Sequence, residues 1–220
     1  MKALLLGSIG TLSDTSELQR RAFNEAFREH GLGWHWERDA YRHMLRQSGG
    51  ARRVRAQADA EGIEVDAEAV HATKSDRFQA MLRAGEAELR PGIRALVSRA
   101  RGEGVRLGLV TTTSPANVDA LLGSLHVPRD GFDVVVTADD VAAGKPAPDC
   151  YRFAAAALAV APEDCLAVED NADGVRAALA AGMTCLAWPG SNNEGHDFAG
   201  ARMAGADIEA AVWPRAEASG

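Results

Sequence analysis

Short apolar runs alternate with longer stretches of helical spacing through most of the chain. Lys2–Leu6 is an apolar run ending at Gly7, and Val105–Val110 is a second, followed by Thr111, Thr112 and Thr113. Ser114-Pro115 reads as an N-cap with proline in the first turn, opening a helix to about Leu122. Phe132–Thr137 is a third run, and Asp149 is expected to cap the Ala-rich helix after it. Cys165–Val168 is a fourth, ending in Glu169-Asp170, with a helix expected over Ala172–Ala181 and Gly182 as its stop. Thr184–Trp188 is the fifth. Strands this apolar, alternating with helices, predict an α/β fold whose parallel sheet is covered on both faces.

Between the first and second runs no good strand is found. Leu18, Ala22, Ala26 and Phe27, then Phe78, Met81 and Leu82, fall at helical spacing, and Pro91-Gly92 closes the stretch. Residues 15–88 therefore read as an inserted helical cap, with 1–14 and 89–220 forming the core; the tail after Trp213 is expected to fray. Trp34 and Trp36 read as packing of the insert, with a pocket lining as the alternative; Arg52-Arg53-Val54-Arg55 reads as a solvated helix face, with contact to a phosphate on closure of the insert as the alternative; and the six histidines form no metal spacing.

Composition narrows the function. A length of 220 residues suits one large domain carrying an insert, and 46% hydrophobic residues suit a globular chain. A net charge of −7 without a long basic run argues against nucleic acid. The longest apolar run, about Phe153–Ala161, is too short to span a membrane, and Ala3–Leu6 is too short for a signal peptide. Three cysteines without metal spacing (Cys150, Cys165 and Cys185) suit a reduced cytoplasmic protein, and a monomer is the default expectation. Only three lysines (Lys2, Lys74 and Lys145) accompany 21 arginines, so lysine is expected where a compact ammonium matters.

In open parallel sheets ligands bind beyond the carboxyl ends of the strands. Those ends carry Gly7-Ser8-Ile9-Gly10-Thr11, Thr111-Thr112-Thr113, Asp139 to Lys145, and Glu169-Asp170-Asn171. Hydroxyls and free amides at a helix start favour an anion, lysine adds a point charge, and a carboxylate pair suits magnesium beside phosphate oxygens. The competing reading is that the threonines cap a helix and the carboxylates pair with arginines.

Five segments, in this order, resemble the haloacid dehalogenase superfamily with its cap after the first strand, and within it the CbbY-like sugar-phosphate phosphatases. They are KALLL…GTLSDTSELQRRAFNEAF, RPGIRAL, LGLVTTTSPANVDALL, GKPAPDCYRFA and VEDNADGVRAALAAGM, and together they cover nearly the whole chain. The resemblance implies a Rossmann-type core with an inserted helical cap, a Mg2+-dependent phosphatase by descent, and a small phosphorylated metabolite as ligand. It places Thr111 and the Thr112 amide on phosphate, Lys145 beside phosphate and nucleophile, and Asp170 with Glu169 at the metal. Asn171 stands where serine is common.

The departure lies at the first strand. The family pattern Asp-x-Asp-Gly-Thr-Leu is here Gly7-Ser8-Ile9-Gly10-Thr11-Leu12, so the nucleophile's position holds Gly7 and the acid/base position Ile9. Neither can form an acyl phosphate or move a proton. Metal binding is expected to be weakened or absent, although the Ile9 carbonyl remains as a backbone ligand. Ser8 is expected on the opposite strand face from position 7, and Asp14 reads as a hinge cap. Ser16 and Gln19 occupy positions where the branch commonly has Glu and His, and Ser48-Gly49-Gly50-Ala51 lacks the lysine of a common Thr-Gly-Gly-Lys segment. The expectation is an impaired or inactive phosphatase homologue that still binds phosphate. The alternatives are a hydrolase with a rearranged mechanism, or a binding or structural protein with no ligand in this pocket.

Overall fold

The computed structural model describes residues 1–7 and 9–214. Ser8 and the tail from residue 215 onward, for which strand alternation and fraying are expected, lie outside the described residues. Among the described residues, six parallel strands stand in the order β3-β2-β1-β4-β5-β6. They are β1 (Ala3–Leu6), β2 (Arg106–Val110), β3 (Val134–Val136), β4 (Cys165–Glu169), β5 (Thr184–Ala187) and β6 (Arg202–Met203). The first five fall within a residue or two of the apolar runs. The sixth lies outside them, because its two exposed residues carry no apolar run and join the sheet only by pairing with β5.

Strand alternation divides the core into two layers. Leu4, Leu6, Leu107, Leu109, Leu166, Val168 and Leu186 face one side, packed with α6 (Ile93–Gly102), α7 (Pro115–Ser124) and α10 (Ile208–Val212). Ala3, Leu5, Val110, Ala167, Cys185 and Ala187 face the other, under α8 (Asp149–Ala157) and α9 (Ala172–Ala180). The small residues of this second layer let the Ala-rich helices approach closely. Asp149 does not cap α8: Pro148 holds the N-cap position and Asp149 is the first helical residue. Gly182, at φ +86°, ends α9 as expected. The thiols of Cys150, Cys165 and Cys185 are buried and form no disulfide.

Between β1 and β2 run α1 (Ile9–Leu12), α2 (Ser16–Glu29), α3 (Arg38–Met44), α4 (Gly50–Glu61) and α5 (Ala67–Arg83). The single turn α1 replaces an expected loop; the Arg90 amide donates to the Leu12 carbonyl and its guanidinium to that of Gly10. The helices α2 to α5 bury a separate cluster, Phe23, Phe27, Trp34, Trp36, Tyr41, Val54 and Val70. Trp34 and Trp36 belong to it, and each indole N–H is taken by a side chain of α4, Glu61 and Gln57 respectively. No helix among the described residues is long and apolar enough to cross a membrane.

Candidate functional site

Strand register brings the predicted chemistry together. Leu6 pairs with Leu109 on one side and Val168 on the other, so Gly7 stands level with Val110 and Glu169 at the sheet's carboxyl edge. Beyond this edge a cavity of about 700 Å³ separates the core from the inserted helices. The core wall includes Ile9, Thr111, Thr112, Asn117, Asp170 and Asn171, and the opposite wall includes Gln47 to Arg53, His71 and Lys74.

The helices α7 and α9 begin at this cavity. Ser114 caps α7 by accepting from the Asn117 amide, and Asn171 caps α9 by accepting from the Gly174 amide. Both helix starts direct amide dipoles toward the cavity, an arrangement that favours anions. Thr111 is buried, and its hydroxyl oxygen accepts from the Thr113 amide at 3.2 Å, leaving its proton to donate. Thr111, Thr112, Asp170 and Ile9 thus meet at one wall, as the sequence predicts.

Lys145 and Glu169 take a different place: they face each other beneath the cavity floor. The Lys145 ammonium donates to the Gly7 and Val110 carbonyls and to Glu169 Oε1, the last at 2.6 Å. Their side chains are 4% and 0% exposed. An ammonium has three protons, and all three are spent here. Tyr151 donates to the same Glu169 oxygen at 2.6 Å, while Oε2 accepts from the Asp170 amide. Burial pushes the Glu169 carboxyl up to about 7 against the opposing pull of Lys145, and burial likewise raises the Tyr151 phenol.

Glycine makes this arrangement possible. A Cβ at position 7 would lie closer than 3.0 Å to Tyr151 Oη and the Glu169 carboxylate; one at Gly174 would meet the same carboxylate. The room that a side chain at position 7 would need is thus filled by Glu169 and Tyr151. The sequence offers no sign of this, because it shows which residue stands at position 7 but not which neighbours pack over it. Tyr151 escapes sequence reasoning for the same reason, and so does Asn193, which donates to Asp170 Oδ2 at 2.9 Å.

The two carboxylates expected at a metal, Glu169 and Asp170, take different hydrogen-bond partners. Position 7 contributes none, both Glu169 oxygens are engaged inward, and Asp170 accepts from Asn171 and Asn193. Among the described residues no group of three or more His, Cys, Asp or Glu side chains is placed to hold a metal ion. Asp170 lines the cavity, whereas Glu169 is buried and offsets its desolvation against Lys145.

The insert is tied to the core at several points. The Ser48 amide donates to Asp173 at 2.6 Å, and Gln79 donates to Asn117 at 3.0 Å. Asp14, read as a hinge cap, accepts from the Ser191 amide and the Ser16 hydroxyl; burial raises its carboxyl, but these bonds outweigh it and hold it low. Gln19 accepts from Lys74 at 3.0 Å. Arg53, expected on a solvated face, instead lines the cavity with a buried, unpartnered Nε and lies over the Phe23 and Tyr41 rings.

Comparison with known proteins shows the family of the chain. The family model for haloacid dehalogenase-like hydrolases matches residues 1–182. The chain is 41% identical over 206 residues to Protein CbbY of Cereibacter sphaeroides, covering 91% of this chain and 90% of that protein. It is 38% identical over 217 residues to Protein CbbY of Rhodobacter capsulatus, covering 96% of each. A crystal structure of CbbY from Rhodobacter sphaeroides in complex with phosphate superposes with a TM-score of 0.85 at 40% identity, covering 93% of both chains. A mutant of that protein in complex with xylulose-(1,5)bisphosphate matches equally well.

Proposed function

Because the chain belongs to the haloacid dehalogenase-like hydrolase family, as a CbbY-like member, we propose that it binds a small phosphorylated sugar and does not hydrolyse it. One observation carries this reading: Gly7 offers no carboxylate, and Glu169 fills the space above it. Phosphoryl transfer in the aspartyl-phosphate manner needs a nucleophile at position 7 and a proton carrier at position 9, and Gly7 and Ile9 are neither. Magnesium binding is correspondingly weak or absent, since the remaining carboxylates lack the third partner. Residues 15–88 serve as the cap.

The phosphate sits against Thr111 and Thr112 at the start of α7. The Thr111 hydroxyl donates its remaining proton, and the free amides of the helix start add fixed dipoles. Lys145 contributes as a positive charge held behind the floor, because its protons are already committed. The rest of the ligand points toward the cap, where Arg53 carries a buried N–H without a partner. A second anionic group fits there, and the bisphosphate bound to a mutant of the Rhodobacter sphaeroides relative is a ligand of that kind.

The test is equilibrium binding of inorganic phosphate and of xylulose 1,5-bisphosphate, followed by the shift in melting temperature. Binding raises stability by RT ln(1 + [L]/Kd), so the shift reports affinity directly. Both ligands are expected to bind, to nearly the same extent with and without Mg2+. Thr111→Val keeps the shape and removes the donor, and is expected to weaken phosphate binding by about tenfold, the worth of one charge-assisted hydrogen bond. No shift with either ligand would leave only a protein without a ligand in this cavity.

A further inference from the structure

The three lysines of the chain occupy three different electrostatic settings. Lys2 is exposed and paired with Asp164 at 2.8 Å, and Lys145 is buried and paired with Glu169 at 2.6 Å. Lys74 is buried at 3% exposure, and no carboxylate among the described residues partners it. Its ammonium meets the Gln19 amide oxygen and lies over the Phe23 and Phe78 rings, 5.1 and 4.9 Å from their centroids. It lines the cavity that receives the ligand. A buried lysine that faces a ligand cavity without a counter-ion keeps its lone pair available near neutral pH.

We propose that Lys74 is a nucleophilic amine that condenses reversibly with the aldehyde or ketone carbon of a ligand held in this cavity. The proposal rests on the sugar-phosphate reading above, since open-chain aldose and ketose phosphates carry such a carbon. The Lys74 Nζ lone pair attacks the carbonyl carbon and a C–N bond forms. The carbonyl oxygen takes up both protons of the neutral amine and leaves as water, and a C=N bond remains. Nothing is oxidised or reduced, and hydrolysis returns the free amine. The ligand is thereby held at both ends, by phosphate at the core and by imine at the cap.

The surroundings favour this state of the amine. Burial, with Arg53 of α4 adding to it, pulls the Lys74 ammonium down to about 7. His71, one turn earlier on α5, is pulled down to about 4 by burial and so adds no charge at neutral pH. From α2 the amine meets only Gln19 and the Phe23 ring.

The experiment treats the whole protein with glyceraldehyde 3-phosphate or unphosphorylated glyceraldehyde and sodium cyanoborohydride at neutral pH, and reads each lysine by peptide mass spectrometry. Lys74 is expected to be reduced to the secondary amine at least about tenfold faster than Lys2, whose ammonium stays charged. Gln19→Glu returns a carboxylate to the amine and is expected to slow labelling of Lys74 by about tenfold without affecting Lys2. Labelling of Lys74 no faster than Lys2, or unaffected by Gln19→Glu, would overturn the proposal. Fast labelling by both aldehydes, with no slowing by inorganic phosphate, would uphold the amine while counting against the phosphate reading. Phosphate binding without Lys74 labelling would do the reverse.

Discussion

The Gly7→Asp/Ile9→Asp variant is expected to be less stable than the unaltered chain in metal-free buffer, by about 2–4 kcal/mol, with Mg2+ recovering much of the loss. The steric part follows from the packing above Gly7. A new Cβ comes closer than 3.0 Å to Tyr151 Oη and the Glu169 carboxylate, neither of which is the loose end of an exposed side chain. Inserting atoms into a filled site costs about 1–3 kcal/mol. The electrostatic part adds to it, because a carboxylate introduced at position 7 would be buried beside that of Glu169 with one ammonium between them. Outward rotation of Glu169 relieves both, and a divalent cation between positions 7, 169 and 170 would reward that rotation. Thermal melts with and without Mg2+ measure the effect, and Gly7→Ala isolates its steric share. A variant as stable as the parent without metal would mean that Glu169 and Tyr151 do not hold the space above Gly7.

Lys74→Met is expected to stabilise the protein at neutral pH, by about 2–4 kcal/mol, and to have little effect near pH 10. In the folded chain the ammonium is pulled down to about 7, first by burial and then by Arg53, against an ordinary value of 10.5. The unfolded chain therefore binds more protons across that interval, and the lysine's presence costs stability most at and below about pH 7. The cost disappears as pH rises through the ordinary value, so the parent gains on the variant from neutral to alkaline pH. The Phe23 and Phe78 faces recover part of the charge's cost, which places the expected effect below the full shift. Denaturant melts of both chains across this range read the difference, and a Lys74→Met chain that is less stable at pH 7 would contradict the assigned setting.

Much of the fold is legible in the chain. Apolar runs of Leu, Val and Ala mark five of the six described strands, and their alternation with helical spacing implies the parallel sheet. The sixth strand escapes because pairing with β5, rather than composition, makes Arg202–Met203 a strand. Gathering of Thr111, Thr112, Asp170 and Ile9 at one wall is legible because strand ends in a parallel sheet share an edge. The inward pairing of Glu169 with Lys145 is not, because it depends on where the two side chains point in the folded chain. The settings of Arg53 and Lys74 are hidden in the same way: a helical pattern shows a charged residue but not whether a neighbouring helix covers it.

Phosphate release from a panel of sugar phosphates, by the unaltered protein with and without Mg2+, is the most direct measurement. Loss of a nucleophile from a cooperating set removes about 10⁴- to 10⁶-fold in rate, so no Mg2+-dependent release above the uncatalysed background is the expected result. Robust Mg2+-dependent release that disappears on Asp170→Asn would contradict it, and would mean that another group attacks phosphorus in place of the missing carboxylate.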